Sequence, residues 1–113
     1  MKAKPVVPRE LANRDVDEAI EHYLGANAEQ AALGFIKALE QAYAHIERHP
    51  ASGSPRYAHA LNLPGLRTWS LTRYPYLVFY LEHGDYIDVW RVLHDQRDIP
   101  AWLSADTNLG HPH

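Results

Sequence analysis

Tyr76-Leu-Val-Phe-Tyr-Leu-Glu-His-Gly-Asp-Tyr-Ile-Asp-Val-Trp-Arg-Val-Leu-His94 is the stretch on which the fold turns. Two β-rich runs, Tyr76–Glu82 and Tyr86–His94, flank Glu82-His-Gly-Asp85, a connection short enough for a hairpin. A two-residue turn at His83-Gly84 pairs Val78 with Val89 and Tyr80 with Ile87. The other face then carries Leu77, Phe79, Leu81, Trp90 and His94. Both faces of the Tyr76–Glu82 strand are apolar, so both require cover.

Upstream, Leu66–Leu71 reads as a further strand. Residues 50–64 hold three Pro and a Gly without sustained periodicity, which reads as a loop and the most mobile part of the fold. Before it, Ala32, Phe35, Ile36, Leu39, Tyr43 and Ile46 mark one face of a helix that stops ahead of Pro50. Asn27-Ala-Glu-Gln30 reads as its capping box. An earlier helix carries Val16, Ile20 and Tyr23 at i, i+4, i+7 and ends at Gly25, so the pair forms an antiparallel hairpin. Lys4–Val7, bounded by Pro8, is a first strand. A last short helix takes Asp98 as N-cap, Pro100 in its first turn, and Ile99, Trp102 and Leu103. The order β-α-α-β-β-β-α defines an α+β domain, a helix hairpin packed on a mostly antiparallel sheet with a short C-terminal helix. That helix is too short to cover the second sheet face. Either a partner chain covers it, or the 50–64 loop folds over it, or the register differs by one residue.

The chain has 113 residues, of which 46% are hydrophobic, enough to bury a core without staples. We expect one domain over residues 1–105 and a flexible tail over 106–113. No cysteine is present, which removes disulfides, thiolate metal sites and cysteine nucleophiles. The longest apolar run, Tyr76–Leu81, is six residues against the ~20 a spanning helix needs. Pro5 and Pro8 stand where a signal peptide would need an apolar stretch, and a cytoplasmic location is compatible with all of this. The net charge is −3, and neither half of the chain, divided at residue 50, is basic. A broad phosphate-binding surface and direct nucleic-acid binding are therefore not expected, although a local arginine cluster stays open.

Leu63-Pro-Gly-Leu-Arg67, Tyr76-Leu-Val-Phe-Tyr80 and Val89-Trp-Arg-Val-Leu-His-Asp-Gln-Arg-Asp98, with His49-Pro50 before Gly53, together resemble the RelE/ParE toxin superfamily. The Arg-Val-Leu-His ending followed by Arg-Asp is closer to its ParE-like branch. The resemblance spans about residues 5–103. It implies the toxin of a type II toxin–antitoxin pair, neutralised by a cognate antitoxin, ParD-like or another short one, whose C-terminal segment wraps it. ParE-like members are associated with inhibition of DNA gyrase, and RelE-like members with cleavage of mRNA on the ribosome.

Metal-independent RNA cleavage needs a base for the 2′-hydroxyl, cations for the crowded phosphate and an acid for the leaving oxygen. If the chain is a nuclease, the candidates are His94, Arg91, Arg97 and Tyr80, with Tyr76 beside them. Against this, Trp69, Leu71 and Leu77 occupy the strand positions where similar nucleases place Lys or Arg. Each candidate also has an ordinary role: His94 bonding the start of the last helix, Arg91 in an ion pair, Arg97-Asp98 at a helix cap. His45-x-x-x-His49 has helical metal spacing without an evident third ligand, so no metal or cofactor is expected. For a partner, the candidate surface is Leu77, Phe79, Leu81 and Trp90. The reading is a toxin that inhibits gyrase by binding. A ribosome-dependent endoribonuclease and an inactive, antitoxin-binding family member are the alternatives.

Overall fold

The computed structural model describes residues 3–96. Strand β1 (Val6–Pro8) leads into helices α1 (Glu10–Gly25) and α2 (Glu29–Arg48). A 3-10 turn at Pro50–Ser52 and a short helix α3 (Arg56–Ala60) follow, then strands β2 (Arg67–Ser70), β3 (Tyr76–Glu82) and β4 (Ile87–His94). The four strands form one sheet in the order β1-β4-β3-β2, with β1 parallel to β4 and the other pairs antiparallel. This is the expected α+β arrangement. The helix expected at Ile99, Trp102 and Leu103, its cap Asp98-Pro100 and the tail from 106 lie outside the described residues.

The junction between the helices differs from the expected capping box. Asn27 adopts φ 56°, and no side chain caps the start of α2. Asn27 instead ends α1: the Ala28 amide donates to Tyr23 O (2.9 Å) and the Asn27 amide to Leu24 O (3.1 Å). That bond pattern closes a helix C-terminus around one left-handed residue, a role Asn tolerates. Gly25, the expected terminator, is still helical.

The hairpin register also differs. Val78 pairs with Val92, Tyr80 with Val89 and Glu82 with Ile87. Four residues, His83–Tyr86, make the connection, closed by the His83 amide donating to Tyr86 O at 2.9 Å. Between Tyr80–Val89 and Phe79–Arg91 the register skips Trp90, the inserted residue of a β-bulge. The physical consequence is a change of phase along β4. Ile87 and Val89 before the bulge and Val92 after it all pack in the same core as Val78 and Tyr80. A strand without the bulge would send one of these sets to the opposite face.

Helices α1 and α2 cover that core with Ala12, Ala19, Phe35, Leu39 and Ile46, all buried. The second face is covered as well, by the segment expected to be a loop. Tyr57 of α3 and Leu66, with Ala58, Leu61 and Leu63 beside them, pack on Phe79, Trp90 and Leu93. The sequence signals at 50–64 are dominated by Pro and Gly, and a five-residue helix is too short to show a period. The start of this segment is nevertheless anchored. The Tyr80 hydroxyl donates to Pro50 O (2.7 Å) and accepts from the Gly53 amide (3.1 Å). Arg67 Nη1 donates to Gly53 O (2.8 Å). Ser54 exchanges two backbone bonds with Thr68.

Candidate functional site

The described residues considered for nuclease chemistry are occupied by different tasks. Arg91 turns toward α1, where its Nε and Nη2 both donate to the Asp15 carboxylate at 2.8 Å. The Val92 amide, just after the bulge, donates to the same carboxylate at 3.0 Å. Both side chains are buried, 7% and 8% exposed, so the Arg91 charge is met inside the fold rather than offered to a phosphate. The pairing of Arg91 with a helix carboxylate was one of the roles open to it in the sequence. Asp15 stands on the same turn as Val16, and its burial was not legible from its type.

Tyr80 is held between Pro50 and Gly53, as described above, and is fully buried. Burial raises the pKa of its phenol, partly opposed by the Gly53 amide and by the Arg67 charge. A phenol shifted upward and committed at both lone pair and proton is poorly suited to proton transfer at neutral pH.

His94 ends β4 opposite Tyr76, with the two rings edge to face at 5.1 Å. Tyr80 stands four positions beyond Tyr76 on the same strand, a span of about 13 Å at ~3.3 Å per residue. His94 Nδ1 accepts the Gln96 amide at 3.1 Å, while the start of the last helix, the partner expected for it, lies outside the described residues. The ring lines a cleft of about 350 Å³ between α1 and β4, shared with Asp15, Glu18, His22, Tyr76 and Gln96. Among the described residues that line this cleft there are two carboxylates, Asp15 and Glu18, and no Lys or Arg to hold a phosphodiester. Arg97 lies outside the described residues.

The partner-surface candidates divide. Phe79 is fully buried and Trp90 is 8% exposed, both beneath α3 and the turns after it, while Leu77 and Leu81 remain half-buried. Trp90 has a further set of contacts: its indole Nε1 donates to Asp88 (3.2 Å), and Arg9 lies over its ring at 4.4 Å while bonding both Asp88 oxygens at 2.9 Å. Burial pushes the Asp88 carboxyl up, but the hydrogen bonds of Arg9 and His83, the Arg9 charge and the Trp90 bond outweigh it and hold the group below its ordinary range.

His45 stacks flat on Trp69, centroids 4.0 Å apart, and its Nε2 meets Ser52 Oγ at 2.9 Å. His49 is 5.2 Å away, and among the described residues no three His, Asp or Glu gather as a metal site. No helix among the described residues is long and apolar enough to cross a membrane.

Charge is uneven on a finer scale than the two halves of the chain show. Residues 48–81 carry Arg48, Arg56, Arg67 and Arg73 and no Asp or Glu. A sliding count of charge, instead of a comparison of halves, would have found this run.

A family model described as the ParE toxin of the type II toxin–antitoxin system parDE matches residues 6–99. Among solved structures, a chain of the chromosomal ParDE TA system from P. aeruginosa superposes with a TM-score of 0.67. The two share 20% identity, over 81% of this chain and 96% of that one, a likeness of fold. No curated protein sequence matches.

Proposed function

The chain belongs to the ParE toxin family of type II toxin–antitoxin systems, and from that premise we propose that it inhibits DNA gyrase by binding and is neutralised by a cognate antitoxin. The observation that carries the choice of a binding poison is the state of Arg91, a buried guanidinium satisfied by Asp15. A phosphodiester cleaved without metal needs cations free to meet its charge, and acid–base groups within reach of one phosphate. Here Tyr80 is separated from His94 along the sheet, and the cleft that His94 shares with Tyr76 is lined by no Lys or Arg. Inhibition by binding needs neither group. It needs a stable surface, which a sheet packed on both faces provides.

The antitoxin is a short protein whose C-terminal segment covers apolar surface left on this chain. Leu77 and Leu81, half-buried, are the contact residues of the second sheet face, while Phe79 and Trp90 support them from within. The test is induction of the chain in cells with and without the neighbouring antitoxin reading frame. DNA damage with intact mRNA, relieved by the antitoxin, is the expected result. Fragmented mRNA with undamaged DNA, abolished by His94→Ala, would transfer the assignment to a ribosome-dependent endoribonuclease.

A further inference from the structure

The four arginines of residues 48–81 stand in a run without a single acid, so the remainder of the −3 chain carries −7. That run builds the 3-10 turn, α3 and β2, and β2 is a sheet edge. Antiparallel strands point successive backbone groups to alternate sides. Thr68 points outward, since its amide and carbonyl both bond Ser54 at 2.9 Å, whereas the Leu71 amide points inward to Tyr76 O. Ser70 therefore points outward too, past the place where the Ser54 bridge stops. It is exposed, and among the described residues no strand pairs with it there; a strand edge left open in this way is a template for another chain.

Two grooves flank this edge, one on each face of the sheet. On the α3 face a groove of about 330 Å³ is lined by Ser54, Arg56, Tyr57 and Leu77 among others. On the α2 face a smaller one of about 160 Å³ runs past Gln41, His45 and Thr72. Trp69 and Ser70 belong to both, and neither is lined by an Asp or Glu. An extended peptide that adds to a strand sends alternate side chains to opposite faces, which is the shape this pair of grooves offers. Arg56, exposed and lying over the Tyr57 ring at 4.8 Å, puts a cation into the larger groove. Arg73, also exposed, follows Ser70 in the next turn. A nucleic-acid strand could use the cations, but it has no amide and carbonyl ladder to pair with Ser70, and the chain as a whole would repel it.

We propose that the open edge of β2 at Ser70 docks an extended acidic segment of a partner protein, its backbone paired with Ser70 and its carboxylates directed to Arg56. That this partner is the antitoxin rests on the functional reading above; the docking site itself does not, and its test uses no toxicity. The probes are a synthetic peptide alternating Val with Glu, its counterpart alternating Val with Lys, and a single-stranded RNA oligonucleotide. Each is titrated into the whole isotope-labelled chain and followed by amide and indole NMR signals. The Glu peptide should shift the Ser70 amide and the Trp69 indole, and bind more weakly as salt rises. Arg56→Glu and Ser70→Pro should each lower its affinity tenfold or more, while Ser70→Ala, which keeps the amide, binds as wild type. Arg56 is exposed, so its substitution spares the fold and decides the outcome even if the proline variant fails to fold. No shift with the Glu peptide, equal binding by the Lys peptide, unchanged affinity of Arg56→Glu, or preferential occupation of this edge by RNA would each overturn the proposal.

Discussion

Asp15 accepts three hydrogen bonds from β4 and so ties the first helix to the last strand of the sheet. Truncating it leaves a buried guanidinium without its bidentate acceptor. Asp15→Ala should therefore cost about 3–5 kcal/mol, measured by denaturant unfolding. Replacing both partners together, Asp15→Leu with Arg91→Met, should recover part of that loss, because two apolar groups need no compensation while the Val92 amide still loses its carboxylate acceptor. If the single variant lost less than about 1 kcal/mol, Arg91 would not be a structural cation. Asp88 offers a pH-dependent counterpart. Its folded-state pKa is lowered, so as pH falls the unfolded chain takes up the proton first. The stability from this carboxylate is complete above the ordinary Asp pKa of about 3.9 and is lost as pH drops through the lower folded value. Melting temperature followed from neutral to acid pH should fall less steeply in Asp88→Asn than in wild type. A parallel decline would remove Asp88 from the acid response.

At the scale of elements, the segment from Pro50 to Leu66 decides how much of the sheet is left for partners. Gly53 is its tightest point. A Cβ there would collide with the Tyr80 hydroxyl and lie 2.9 Å from the Thr68 carbonyl oxygen, which is backbone and cannot yield cheaply. Gly53→Ala should destabilise by about 1–3 kcal/mol and loosen α3, seen as increased dye binding to the uncovered Phe79 and Trp90 face. Unchanged stability and no dye binding would mean the anchor at Tyr80 is dispensable. This element also marks the limit of what the residues disclosed. Two helices and four strands were legible, the helices from the 3.6-residue period across Val16–Ile46 and the two longest strands from the β-rich runs of Tyr76–His94. The bulge at Trp90 was not, since Val89-Trp-Arg-Val-Leu93 has apolar residues at odd and even positions alike and an inserted residue leaves no break in such a run. With the bulge went the register, and with the register the judgement of which face was open. The cap at Asn27 was misplaced for a related reason: Asn serves helix ends and helix starts alike.

At the scale of the whole molecule, the chain is a sheet with apolar cover on both faces and an uneven distribution of charge. The acids of α1 and α2 lie apart from the acid-free run that forms α3 and β2. The site candidates drawn from residue type alone were only partly legible, because Arg91, Tyr80 and His94 have the right chemistry for nuclease work and the wrong surroundings. Only the three-dimensional partners, Asp15, Pro50 with Gly53, and the Gln96 amide, show what each is committed to. The central claim is that the toxin acts by binding an enzyme of DNA topology and not by cutting RNA. The most direct measurement is supercoiling of relaxed plasmid by purified gyrase in the presence of the purified chain, beside a cleavage assay on translating ribosomes. Inhibition of supercoiling that persists in His94→Ala, with mRNA left intact, is the result predicted; unaffected supercoiling together with His94-dependent cuts in ribosome-bound mRNA would contradict it.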